Sequence, residues 1–131
     1  MKTKTYWDAS ALVKAATDDE FRKRLAAGGG VTHTHALAEA FSALTGGRLT
    51  ERVDATATAD IVAELLADLD FCDLTAPEVL RALAQAGAKG VRGGRVHDYL
   101  HAVAAHKGKA GLLLTADKHG FDDLFDKVEV I

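Results

Sequence analysis

The sequence has 131 residues, 48% of them hydrophobic and 27% charged, with one Cys, one Pro and a formal net charge of -3. That composition excludes a disordered or fibrous chain and a disulfide-stapled scaffold, and no apolar run approaches the roughly 18 residues of a membrane span. A chain of this length buries roughly two-thirds of its unfolded surface, enough for one core, and the opening Met-Lys-Thr-Lys-Thr-Tyr-Trp lacks the apolar segment of a signal peptide, so the expectation is one domain over 1–131 in the cytoplasm.

Thr3 to Trp7 has the aromatic and β-branched character of a strand, and the chain turns helical from Asp8 to Lys14. A second helix is predicted over 18–27, broken by Gly28-Gly29-Gly30, after which Val31-Thr32 leads into a third helix over 36–44. In it Leu37, Phe41 and Leu44 recur as i, i+4, i+7, and Gly46-Gly47 closes it. An acidic helix follows over about 55–70 with Ile61, Val62, Leu65, Leu66 and Leu69 as its stripe, then a strand over 71–74. Thr75-Ala76-Pro77-Glu78 has the spacing of a capping box and opens a helix to Ala86. The next helix runs over 95–106, 112–115 is too short and apolar for anything but a buried strand, and 127–131 adds a last one. Strands alternating with helices predict an α/β domain of three layers, α/β/α, with a mostly parallel central sheet.

Charge is uneven along this order. Residues 51–78 carry eight acids against one base, whereas 81–109 carry six bases against Asp98 alone. Such a split gives either two solvated helix faces of opposite sign or a basic patch that attracts phosphates.

In open α/β sheets ligands bind beyond the carboxyl ends of the strands, which gives weight to Asp8 and Asp117, each at the end of an apolar or aromatic run. Glu39, amid Ala36, Leu37, Ala38, Ala40 and Phe41, and Asp98, amid Val96, Tyr99 and Leu100, are equally out of place. Singly, each has an ordinary explanation: Asp8 as the N-cap of the next helix, Glu39 and Asp98 as favourable charges early in theirs. Together, four converging carboxylates repel unless a cation neutralises them. An all-oxygen set suits a hard ion, Mg²⁺ or Mn²⁺, which activates water and steadies a leaving oxygen in phosphodiester cleavage.

Histidines offer competing chemistry: His97 and His101 stand i, i+4 and His33 and His35 are two apart, a weak pattern for zinc with no His-Glu-x-x-His and no Cys pair. The glycines at 28–30 and 93–94 match neither phosphate-loop spacing. Ser10 and Cys72 have no base in their own segments, and Cys72 reads as a small core residue.

Four segments in this order and spacing, Tyr6-Trp7-Asp8-Ala9-Ser10-Ala11-Leu12, Ala38-Glu39-Ala40-Phe41, Gly93-Gly94-Arg95-Val96-His97-Asp98-Tyr99-Leu100-His101-Ala102 and Leu114-Thr115-Ala116-Asp117, make the chain resemble PIN-domain ribonucleases, specifically the VapC-type toxins of bacterial and archaeal toxin–antitoxin pairs. The resemblance implies a single PIN domain whose Asp8, Glu39, Asp98 and Asp117 are catalytic and bind Mg²⁺ or Mn²⁺, with Ser10 and Thr115 as supporting hydroxyls. It implies endonucleolytic cleavage of RNA by a metal-activated water, with Asp8, Asp98 and Asp117 as the direct ligands and Glu39 as ligand or orienter of the water. Arg92 and Arg95, just before Asp98, are candidates for holding RNA phosphates. It also implies a homodimer and a cognate antitoxin whose C-terminal segment lies across the acids. Lys118-His119-Gly120 makes the approach from Asp117 to Phe121 longer than the family's usual one, which leaves the roles of His119 and Asp122 open. The alternatives are a PIN-like module that binds RNA or a protein without catalysis, and a nuclease of RNA processing or of DNA that has no antitoxin.

Overall fold

The computed structural model describes residues 3–46 and 53–131; Gly47, read above as a helix stop, lies outside them, as do Glu51 and Arg52 of the acidic stretch. The elements run β1 (Thr5–Trp7), α1 (Ala9–Thr17), α2 (Asp19–Ala26), β2 (Gly30–Thr32), α3 (His35–Gly46), α4 (Ala55–Leu65), β3 (Leu69–Phe71), α5 (Ala76–Ala86), α6 (Arg95–Lys107), β4 (Leu112–Thr115) and β5 (Val128–Val130). The strands form one sheet in the order β3-β2-β1-β4-β5, and every pairing is parallel. The three-layer α/β/α architecture expected from the element order is the one observed. Among the described residues no helix is long and apolar enough to cross a membrane.

Side chains alternate across a strand, and that alternation builds the layers. Trp7 and Leu114 point into a core with Ala11, Leu12, Ala15, Leu25, Ala40 and Leu65, contributed by α1 to α4. Their neighbours Tyr6 and Leu113 point the other way, onto Ala102, Ala104 and Ala105 of α6. A smaller cluster of Ala82, Val91 and Tyr99 joins α5 to α6, fastened by Lys107 Nζ, which donates to Glu78 Oε1 and to the Asp73 carbonyl, each at 2.6 Å. The capping box forms as its spacing predicts: Glu78 N donates to Thr75 Oγ1 at 3.3 Å and Thr75 N to Glu78 Oε1 at 2.8 Å.

Two departures from the sequence reading have one cause. β2 is a strand where only a lead-in was expected, and the acidic helix stops at Leu65, passes through a 3₁₀ turn and becomes β3 at Leu69, two residues before the predicted strand. β2 and β3 pair with each other, Gly30 opposite Leu69 and Thr32 opposite Phe71, so ladder hydrogen bonds override a helical stripe that happened to continue through Leu69. Gly30 is required there because a β-carbon would stand 2.9 Å from Leu25 Cδ1 and 3.2 Å from the Asp68 carbonyl oxygen.

Candidate active site

The chain lays β1, β2 and β3 outward in one direction, then crosses back to place β4 and β5 on the other side of β1. The order of strands therefore reverses between β1 and β4, where a crevice opens at the carboxyl ends. Asp8 leaves β1 and Asp117 follows β4 at that crevice, while α3 and α6 bring Glu39 and Asp98 over it. One pocket of about 260 Å³ is lined by Asp8, Ser10, Glu39, Asp98, His101 and Asp117. The four acids that looked misplaced in the sequence are thus gathered from four places in the chain.

Asp8 lines the pocket and at the same time caps α1. Its Oδ1 accepts from Ala11 N at 2.8 Å, capping α1, and from Ser10 Oγ at 2.7 Å. Ser10 Oγ in turn accepts from Ala116 N at 2.8 Å and lies 3.2 Å from Thr115 Oγ1, which accepts from Asp117 N at 3.0 Å. The two hydroxyls therefore tie the end of β1 to the loop after β4 and hold Asp8 and Asp117 in register.

Glu39 is held by a relay from the core. Tyr6 is fully buried, its hydroxyl 2.7 Å from His101 Nδ1, and His101 Nε2 lies 2.9 Å from Glu39 Oε1. A neutral His101 satisfies both contacts when Nε2–H donates to the carboxylate and Nδ1 accepts from the phenol. Burial opposes the Glu39 charge, but the hydrogen bond and nearby imidazoles outweigh it and hold its pKa below the usual carboxylate value. No sequence signal linked these residues, since the partners are 95 and 62 positions apart.

Asp8 and Asp98 are pushed the opposite way. Burial raises the pKa of Asp8, partly offset by its hydrogen bonds from Thr115, Ser10 and Ala11. Asp98 is raised to about 6, first by burial and then by the charge of Asp117, with Asp8 and Glu39 adding to it. Among the described residues no Lys or Arg forms an ion pair with any of the four acids. Converging carboxylates that raise the pKa of Asp98, with no Lys or Arg to neutralise them, match the donor set of a hard divalent cation.

Gly120 is a site residue that sequence reasoning missed. A β-carbon there would stand 2.6 Å from Asp117 Oδ2 and 3.2 Å from Asp98 Oδ2, so the glycine lets both carboxylates converge over it. The longer approach to Phe121 also finds its explanation. His119 N donates to Asp117 Oδ1 at 3.1 Å, and His119 Nδ1 lies 3.1 Å from Asp122 Oδ2, so the extra residues close a turn against Asp117.

Arg92 is exposed. Arg95 is half-buried, donates from Nη2 to the Asp122 carbonyl at 2.5 Å, and shares an open hollow with Asp98, Asp117 and His119. Its Nε is buried with no partner. Cys72 is half-buried and its thiol is pushed up by burial, as suits a packing residue. The histidine rings form a chain from one segment to another: His35 stacks on His97, His33 meets His101 edge to face, and His33 and His35, two apart in sequence, also meet edge to face.

Among known families, the model for the PIN domain matches residues 5–127. No curated protein matches the chain.

Proposed function

Since the chain belongs to the PIN-domain family, whose members are generally metal-dependent nucleases, we propose that it is an endoribonuclease acting through Mg²⁺ or Mn²⁺ in the acid pocket. The observation that carries this reading is the convergence of Asp8, Glu39, Asp98 and Asp117 on one pocket with, among the described residues, no Lys or Arg paired to them. Asp8, Asp98 and Asp117 would hold the ion. When bound, the ion lowers the pKa of water and neutralises charge on the leaving oxygen. Glu39, aimed by His101, orients the attacking water; Ser10 and Thr115 keep Asp8 and Asp117 in place. Arg92 and Arg95 hold RNA phosphates, and an unstacked strand or loop of RNA fits a shallow pocket of this kind better than a duplex.

The same reading makes the protein the toxin of a type II toxin–antitoxin pair, working in the cytoplasm as a homodimer. Carboxylates with no Lys or Arg paired to them attract Arg or Lys as they attract an ion, so a cognate antitoxin inhibits by placing a basic side chain among them. The test is incubation of the purified chain, freed of any partner, with a mixed RNA pool. Cleavage that requires Mg²⁺ or Mn²⁺ and stops with chelator supports the proposal, and cleavage indifferent to chelator overturns it.

Gly120→Ala gives a second check. Asp117 is exposed, so its carboxylate swings away from the new methyl at little expense to the fold but leaves the ion. The expected result is an unchanged melting temperature with Mn²⁺ binding weakened by about tenfold, read by titration.

A further inference from the structure

Beside the acid pocket lies a second set of donors of different chemistry. His35 and Glu39 stand one turn apart on α3 and His97 faces them from α6; one ligand atom from each lies within 4.8 Å of the other two. His35 Nε2 is 3.9 Å from Glu39 Oε1, and the His35 and His97 rings stack at 5.7 Å with 20° between their planes. Among the described residues neither imidazole has any other hydrogen-bond partner. Both line a hollow of about 350 Å³ walled by Leu74, Val79 and Leu100. The deeper trio of His33, Glu39 and His101 is committed otherwise, because His101 spends both ring nitrogens on Tyr6 and Glu39.

We propose that His35, Glu39 and His97 form a Zn²⁺ site, distinct from the acid pocket but sharing Glu39 with it. Two imidazoles and one carboxylate are a donor set suited to zinc, with a fourth position left for water. Tetrahedral zinc bonds of about 2.0–2.2 Å bring ligand atoms to roughly 3.4 Å from one another, a closure of about an ångström that exposed imidazoles make by side-chain rotation. Zinc here draws on the negative charge of Glu39, so it antagonises ion binding among the acids. The site itself stands without the nuclease reading; the antagonism rests on it.

The test uses the full chain stripped of metal, with ZnCl₂ measured by equilibrium dialysis and Mn²⁺ by the resonance signal of the free ion. The expected result is one Zn²⁺ per chain, bound about tenfold more weakly in His35→Gln and in His97→Gln and unchanged in Asp98→Asn. Zinc binding at full strength in both histidine variants, or lost equally in Asp98→Asn, overturns the site. Zinc at one equivalent per chain should weaken Mn²⁺ binding by about tenfold in the parent and much less in His97→Gln; no change in the parent, or an equal loss in His97→Gln, where zinc competes in the acid pocket itself, overturns the antagonism. If Mn²⁺ does not bind even without zinc, the acid-pocket reading and the antagonism both fall, while dialysis still decides the zinc site.

Discussion

Asp98→Asn is expected to lower metal-dependent RNA cleavage by about 10³-fold while making the metal-free protein more stable. The second effect follows from the pKa of Asp98, raised to about 6 by burial and by Asp117. A carboxyl group that holds its proton more tightly when folded contributes stability below the unfolded pKa, and that contribution is lost as pH rises through the folded value. In the parent, then, the penalty of a charged Asp98 is absent below about pH 4 and complete above about pH 6. Asn never ionises and escapes it. After discounting for solvent screening at a partly exposed group, the gain is about 1 kcal/mol at pH 8 and vanishes near pH 4, as read from denaturant melts in chelator. Mn²⁺ should stabilise the parent and not the variant, and its hold on the parent should weaken as pH falls below 6, where protons compete for Asp98. A variant less stable than the parent at pH 8 would contradict the crowding of these carboxylates.

His101→Ala should be the most damaging change to stability in the site. The residue is 2% exposed and joins Tyr6, fully buried, to Glu39. Truncation leaves a cavity and strips the Tyr6 hydroxyl of its partner, which together destabilise by about 3 kcal/mol and lower the melting temperature by about 10 °C. Glu39, no longer aimed, should reduce cleavage a further 10–100-fold among molecules that remain folded. His101→Gln separates the two roles, because an amide can still donate to Glu39 while filling part of the space; it should recover activity more than stability. Equal recovery of both would mean that His101 acts only as packing.

The acids were legible in the sequence for a physical reason: a carboxylate in an apolar run needs a partner, and Glu39 amid Ala38 and Ala40 or Asp98 beside Tyr99 advertised that need. The Thr75 capping box and the short apolar β4 were legible because their signals are local. β2 was not, since three residues framed by Gly28, Gly29 and His33 carry no periodicity, and its strand character comes from pairing with β1 and β3. His33 and His35, two apart in sequence, do meet, but the ring contacts between segments were not legible. His97 and His101 are helical neighbours in sequence, yet their rings meet His35 and His33 from another segment. Nor does any motif announce that Gly120 must lack a side chain so that Asp117 and Asp98 can converge.

The position of β4 in the sheet sets when during synthesis the pocket can be completed. β4 is inserted directly beside β1, the first strand made, and it is followed at once by Asp117. A nascent chain that has extruded α1 to α6 still presents β1 with one bare edge and three of its four acids. Only once residue 117 is made can the sheet zip shut along that edge, so a product that ends earlier lacks both the β1–β4 pairing and the fourth acid of the pocket.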